Sequence, residues 1–523
     1  VGAGLLAVGG LLRVAYLLDY AALPFAEGPL GDSAVYLHQA ARIAAGDHGD
    51  TSLLAMSPGY GYVLALFGGA AWPVIGAQAA LGLLAGLLVA RLARATAGPE
   101  HGDAAALGAL LLYLGYGLVP FYESKLLSDS LGLSLALGAA ALLATTGARA
   151  GRPAQTVAAG VVVGLAVLVR AHLVFVAPLL PLAALAPWSS GEPWRLRLRR
   201  AAWLGGGLGA VLLARGLFTL HVAGVFVPVL YTAPEAHVVR ASSGAAAGAR
   251  FGSLGFQTEG PPSAWDVVRR VDAHRRGSAR GAAERGGGPG SSDDSRGGGP
   301  DLLGTARSID LRGLLRTAPD KLAATFRPVE TTHQYAYYGE RARIVALQVH
   351  AFSFTLIAWL ALAGAVALLA GNRGHALWAH APWIVGIVAV CLLYLPSARY
   401  RLPMLVGLLP LAGAGVAALV RAAGTGARAW RDPRWQASAL AALVAAWLCW
   451  DGARTHIGYA PRNPERWELV VAESLLLQPH DPAEVEARLA RARAISAARR
   501  GGQPDPAVDA HVEALRARLR PAR

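Results

Sequence analysis

Residues 31–47 read GDSAVYLHQAARIAAGD, a polar stretch with helical spacing that follows directly on an apolar run at about residues 4–20. What surrounds it decides the fold. Of 523 residues 54% are hydrophobic and only 15% charged, a composition suited to lipid rather than water. Asp32 therefore stands just outside a hydrocarbon core, where a carboxylate can meet a water-soluble substrate on one side and a lipid headgroup on the other.

Working outward, a bilayer core of ~30 Å takes about 20 apolar residues per helix. That length cuts the chain into about eleven transmembrane helices, at residues 4–20, 76–95, 104–120, 126–146, 155–171, 172–188, 201–220, 345–370, 380–396, 402–420 and 436–450. The expected fold class is an all-α polytopic membrane protein. No basic segment precedes the first run and its small-residue cleavage signal is weak, so it reads as a retained span rather than a secretory leader.

The formal net charge is +15, but the basic residues concentrate between spans. Arg91, Arg94, Arg149, Arg152, the WRLRLRR run at 194–200, Arg373, Arg421, Arg428, Arg431 and Arg434 all fall on one face, which positive charge holds in the cytoplasm. Nucleic acid is thus a poor partner. The opposite face receives residues 21–75, the turn FYESKLLSDS (121–130), a long loop at 221–344, SARYR (397–401) and the tail. The expected location is the inner (plasma) membrane, with the site on the extracytoplasmic face.

Four regions follow: an N-terminal membrane module at 1–220, an extracytoplasmic loop at 221–344, C-terminal membrane helices at 345–450 and a soluble helical tail at 451–523. Within the loop, residues 275–300 are dense in Gly and Ser and read as a disordered tether. Its flanks, residues 263–275 and 308–326, have helical spacing and basic faces suited to the membrane surface at a substrate entrance. In the tail, PAEVEARLARARAISAARR and AVDAHVEALRARLR resemble two amphipathic helices separated by GGQPDP.

Several motifs are missing. There is no HExxH, no GxxxxGK[ST] and no GxSxG, so zinc-peptidase, nucleotide-hydrolase and serine-hydrolase chemistry have no anchor. Cys391 and Cys449 lie in separate spans and support neither a disulfide framework nor a cysteine metal site. No inverted repeat and no row of mid-span ionisable residues argues for a coupled transporter.

The polar residues on the outer face are the candidates. Asp32 precedes Tyr36 by one helical turn, so both can project from one face. The carboxylate reads either as a general base for an acceptor hydroxyl or as a helix N-cap. Arg170, followed by His172, sits at the outer end of one span, where a guanidinium is costly unless paired or facing a polar cavity. Arg399 and Arg401 flank Tyr400 at the outer start of another. Each arginine reads either as a phosphate fork or as a snorkelling side chain. Glu123, Lys125 and Asp129 lie at a helix start on the same level, where the acids can simply complement the helix dipole.

In order along the chain, GDSAVYLHQAARIAAGD, SPGYGYVLAL, QAALGLLAGLLVARLARATAG, PFYESKLLSDSLGLSLAL and AGVVVGLAVLVRAHLVFVAPLL resemble bacterial family 39 glycosyltransferases of the GT-C class, polytopic relatives of protein mannosyltransferases and of the aminoarabinose transferase acting on lipid A. The resemblance covers roughly residues 4–190 and again about 395–415, and TFRPVETTHQYAYYGERAR (325–343) is similar to a glutamate-and-tyrosine segment of the family, with Glu330 at its acidic position. It implies a GT-C-like bundle with extracytoplasmic interfacial helices. It also implies a polyprenyl-phosphate-linked sugar donor, a lipid, protein or glycan acceptor, and inversion at the anomeric carbon. Asp32 falls on the family's catalytic first-loop aspartate.

This chain departs from the pattern in carrying Ser33 after Asp32, and Met56 and Ser57 before Pro58. The donor phosphate then falls to Arg170, Lys125, Arg399 or Arg401, with Tyr36, Glu123, Asp129, His172 and Glu330 as supporting residues. A divalent metal is left open and no other cofactor is implied. The alternatives are a transporter or flippase of lipid-linked sugars and an O-antigen-ligase-like enzyme.

Overall fold

The computed structural model describes residues 1–147, 153–187, 192–229, 311–327, 330, 335–394, 396–425, 465–478 and 481–519. Among the described residues the regular structure is helical throughout, as expected. The N-terminal part comprises α1 (Gly2–Ala21), α2 (Asp32–Ala44), α3 (Thr51–Ala55), α4 (Pro58–Leu66), α5 (Ala71–Ala97), α6 (Gly102–Leu114), α7 (Leu118–Glu123), α8 (Ser128–Gly147), α9 (Pro153–Val169), α10 (Leu179–Ala184) and α11 (Trp194–Ala223). The remainder comprises α12 (Leu311–Thr325), α13 (Tyr337–Arg341), α14 (Val345–Gln348), α15 (Phe354–Ala370), α16 (Ala381–Leu393), α17 (Ala398–Arg401), α18 (Leu405–Thr425), α19 (Glu465–Leu475), α20 (Pro482–Arg499) and α21 (Pro506–Leu519).

Among the described residues four helices are long and apolar enough to cross a membrane: Gly2–Ala21, Ala71–Ala97, Trp194–Ala223 and the continuous run Ala398–Gly424. Six shorter apolar helices occupy positions where full spans are expected, and the run at 436–450 lies outside the described residues. The described residues therefore account for four of the expected eleven as full-length spans. Glycine and proline explain much of the shortening, because both interrupt an apolar helix without changing its hydropathy. The run 104–120 breaks between α6 and α7 around Gly115 and Gly117, and the run 172–188 becomes a 3-10 turn, Ala171–Phe175, followed by α10 after Pro178. The run 345–370 breaks at residues 349–353.

Small residues let the helices approach closely. A Cβ on Gly364 of α15 would lie 1.9 Å from the Leu411 carbonyl oxygen of α18, and one on Gly415 would lie 2.2 Å from the Leu360 oxygen. Lacking a Cβ, glycine lets two backbones touch at such positions, which is how apolar helices associate when burial from water drives nothing.

Three of the basic residues expected on one face lie against the ends of α5 and α6. Arg373 donates to the Ala97 carbonyl at the end of α5 at 2.7 Å, Arg94 pairs with Asp103 at 2.9 Å, and Arg421 meets His101 at 2.7 Å. The loop carrying Asp32 and the starts of α8 and α18 lie at the opposite helix ends.

The expected tail helices are present as α20 and α21, preceded by α19, which the sequence reading did not anticipate. Leu469 and Ala472 of α19 join Val485, Leu489 and Val512 in one apolar cluster. The tail is also tied back to the first loop: Ser474 Oγ donates to the Pro24 carbonyl at 3.1 Å, and Trp467 packs edge-on against Phe25 with centroids 5.7 Å apart. Of the loop flanks, the second forms α12, which packs on α16. The first flank and the tether at 275–300 lie outside the described residues.

Candidate active site

Asp32 is the first residue of α2, and the N-cap is Gly31, with φ of 54° and no side-chain cap. The N-cap reading of Asp32 is thereby corrected. A left-handed φ favours glycine, so Gly31 takes the turn and leaves the carboxylate beside it free of capping. Its Oδ2 receives Arg399 Nη1, and among the described residues Oδ1 accepts no hydrogen bond.

Arg399 connects two acids. Its Nε donates to Asp129 Oδ2 at 2.8 Å, while Arg170 Nη1 reaches Asp129 Oδ1 at 2.7 Å and Arg170 Nη2 donates to the Arg399 carbonyl at 2.9 Å. The result is an alternating row of Asp32, Arg399, Asp129 and Arg170, contributed by α2, α17, α8 and the end of α9. Asp129 and Arg170 are buried, whereas Asp32 and Arg399 keep 16% and 12% of their side-chain surface exposed. Burial without pairing would be prohibitive, so the row is stable only as a row. Its open end is Asp32.

Around that end, Tyr36 Oη meets Ser128 Oγ at 3.2 Å and its ring packs edge-on against Tyr60. Burial, reinforced by the Asp32 charge, pushes the Tyr36 phenol up, which keeps it protonated. His172 lies 4.5 Å from Tyr400 and 5.4 Å from Tyr394, centroid to centroid, forming an aromatic wall next to Arg399.

The other expected residues form separate pairs. Lys125 is fully enclosed, with Nζ 2.9 Å from Glu340 and 3.9 Å from the Tyr20 ring centroid. Burial pulls the ammonium down and Glu340 partly restores it. Glu123 takes a two-pronged contact from Arg13, at 2.7 and 2.9 Å. Arg401 donates to Glu330, to the Thr325 carbonyl at 2.6 Å and to the Arg327 carbonyl at 3.0 Å. Burial raises the Glu330 carboxyl against the pull of Arg401.

Arg13, Tyr16, Glu340 and Tyr335 escaped the sequence reading. For Arg13 a signal existed, since a lone cation inside an apolar run needs a partner. For Glu340 and Tyr335 it was the tyrosine-rich segment itself.

Among the described residues no group of three or more His, Cys, Asp or Glu side chains gathers to hold a metal ion. Asp32 and Asp129 are instead bridged by the Arg399 guanidinium, which already neutralises them. Among the described residues the donor set does not fit a divalent metal. A cleft of about 320 Å³ lies between the C-terminal end of α1 and the tail, lined in part by Trp72, Trp467, Glu27 and Arg488, and none of the expected site residues borders it.

Residues 60–216 match the family model described as dolichyl-phosphate-mannose-protein mannosyltransferase, in agreement with the expected resemblance. Glu123, Lys125, Asp129, Arg170 and His172 fall inside that segment, whereas Asp32, Glu330, Arg399 and Arg401 lie outside it. No curated protein matches. Among solved structures, the chain is similar to the Archaeoglobus fulgidus oligosaccharyltransferase tethered with an acceptor peptide containing the NVT sequon, at 14% identity over 97% of this chain and 59% of that one, with a TM-score of 0.44. It is also similar to archaeal oligosaccharyltransferase AglB from the same organism in complex with an inhibitory peptide and a dolichol-phosphate, at 14% identity over 97% of this chain and 60% of that one, with a TM-score of 0.45. The chain spans about three fifths of the length of these structures.

Proposed function

We propose that this protein is an inverting glycosyltransferase that moves a sugar from a polyprenyl-phosphate donor to an acceptor hydroxyl or amine on the extracytoplasmic side of the inner membrane, with Asp32 as general base. The observation that carries the reading is the uncapped, partly exposed Asp32 carboxylate at the open end of the arginine-bearing row. The family match over residues 60–216 supports the reaction class.

A hydroxyl is a poor nucleophile, and a carboxylate that takes its proton as the new bond forms contributes about 10² to 10⁴ in rate. Asp32 Oδ1 accepts that proton, the acceptor oxygen bonds the anomeric carbon, and the bond to the phosphate oxygen breaks with its electron pair. Polyprenyl phosphate leaves as an anion, so it needs positive charge rather than a protonating acid. Arg399, at the opening, and Arg170 behind it supply that charge in a partly dry site. Lys125 and Arg401 are committed to buried carboxylates, so their part is to hold the surrounding segments. The prenyl chain is held by lipid-facing apolar surface while the sugar faces water.

Incubating the purified protein with labelled prenyl-phosphate sugars and membrane extract tests the proposal. Asp32→Asn is expected to lose at least about 100-fold in transfer rate while binding donor normally. Transfer at the wild-type rate in that variant removes the base assignment, and movement of donor across liposomes without covalent product points to transport instead.

A further inference from the structure

We infer that Tyr335 is a positioning residue for Asp32, its hydroxyl clamping both ends of the short turn that presents the carboxylate. The inference rests on the reading of Asp32 as the base.

Residues 30–33 form a tight turn in which the Ser33 N–H donates to the Leu30 carbonyl at 3.1 Å. Gly31, with φ of 54° and ψ of −118°, and Asp32 are its two central residues. That conformation is open to glycine and strained for other L-residues. Tyr335 Oη accepts from the Leu30 N–H at 3.2 Å and shares a hydrogen bond with Ser33 Oγ at 3.0 Å. One oxygen therefore joins the first and last residues of the turn.

The ring carrying that oxygen is itself fixed. Phe25 packs edge-on against it at 5.6 Å, and the Lys125 ammonium lies 5.2 Å from its centroid, anchored by Glu340. Tyr335 belongs to a segment some 300 residues further along the chain, so the clamp couples the end of the long loop to the presentation of Asp32. Arg399 grips Oδ2 from another direction. With the backbone held by Tyr335 and one oxygen by Arg399, the direction of Oδ1 is set. Geometry of this kind matters because a displacement of about 1 Å can cost about 10²-fold in rate.

Tyr335→Phe removes the oxygen and keeps the ring. In the full-length purified protein, hydrogen–deuterium exchange at the Leu30 amide is expected to accelerate about 5-fold or more, with exchange in α15 unchanged. With polyprenyl-phosphate-linked tritiated mannose and membrane extract, kcat is expected to fall about 10- to 100-fold while the donor KM stays within about twofold. In an Asp32→Asn background, Tyr335→Phe should cause no further loss.

Unchanged exchange at Leu30 overturns the clamp. Faster exchange with wild-type kcat overturns the positioning role, as does an equal slowing in the Asp32→Asn background. If Asp32→Asn alone turns over at the wild-type rate, the base reading fails, while the exchange measurement still decides the clamp.

Discussion

Asp129 touches two guanidiniums yet has almost no access to water. Asp129→Asn keeps the shape and removes the charge, leaving Arg170 buried beside a neutral amide. Breaking a buried pair from one side costs about 3–5 kcal/mol, so this variant should melt well below the wild type in detergent. Arg399→Lys tests the row differently, since a point charge cannot bridge Asp32 and Asp129 as a planar fork does, and donor affinity should drop about tenfold or more in a binding assay. Asp32, Arg170 and Arg399 were legible in the sequence because charges at the ends of apolar runs need a reason to be there. Their pairing was not, because it joins positions 32, 129, 170 and 399, and spacing along a chain says nothing about contacts across it. Arg401 illustrates the limit: two residues from Arg399, it faces a different acid.

At the scale of elements, hydropathy located the apolar helices but ran straight through the breaks in 104–120, 172–188 and 345–370, since it averages over the residues that interrupt a helix. The α15–α18 contact depends on two glycines pressed against opposing carbonyls. Gly364→Val should force these helices apart and cost about 1–3 kcal/mol, visible as a lowered melting temperature. Helix α12 carries Lys321, whose buried ammonium donates to the Leu392 carbonyl of α16 at 2.7 Å. Burial pulls this amine from 10.5 down to about 8. Between those values the unfolded chain binds more protons than the folded one, so stability should rise with pH from about 8 to 10.5 and be least below 8. A melting series across that window in wild type and Lys321→Met checks the sign, because the variant should lack this component. The basic face of this helix was readable in advance, but the enclosure of its one lysine depends on α16 and was not.

Across the whole molecule, the tail reaches the neighbourhood of Asp32 through a chain of rings: Trp467 meets Phe25, Phe25 meets Tyr335, and Tyr335 holds the turn that carries Asp32. Trp467→Ala should cost about 3–5 kcal/mol and loosen amide protection around residues 24–28, whereas a tail that only tethers would leave that exchange unchanged. The sequence showed an amphipathic tail without showing what it covers, because helix patterning reveals a buried stripe but not its neighbour. The row at the site has one more consequence. Two anions and two cations alternate along it, so an unloaded site carries no surplus attraction for phosphate. An arriving donor therefore has to share Arg399 with Asp32 and Asp129 rather than find it free. Whatever phosphate settles there leans on the same guanidinium that steadies the Asp32 carboxylate, so any change in the grip on one partner is felt by the other.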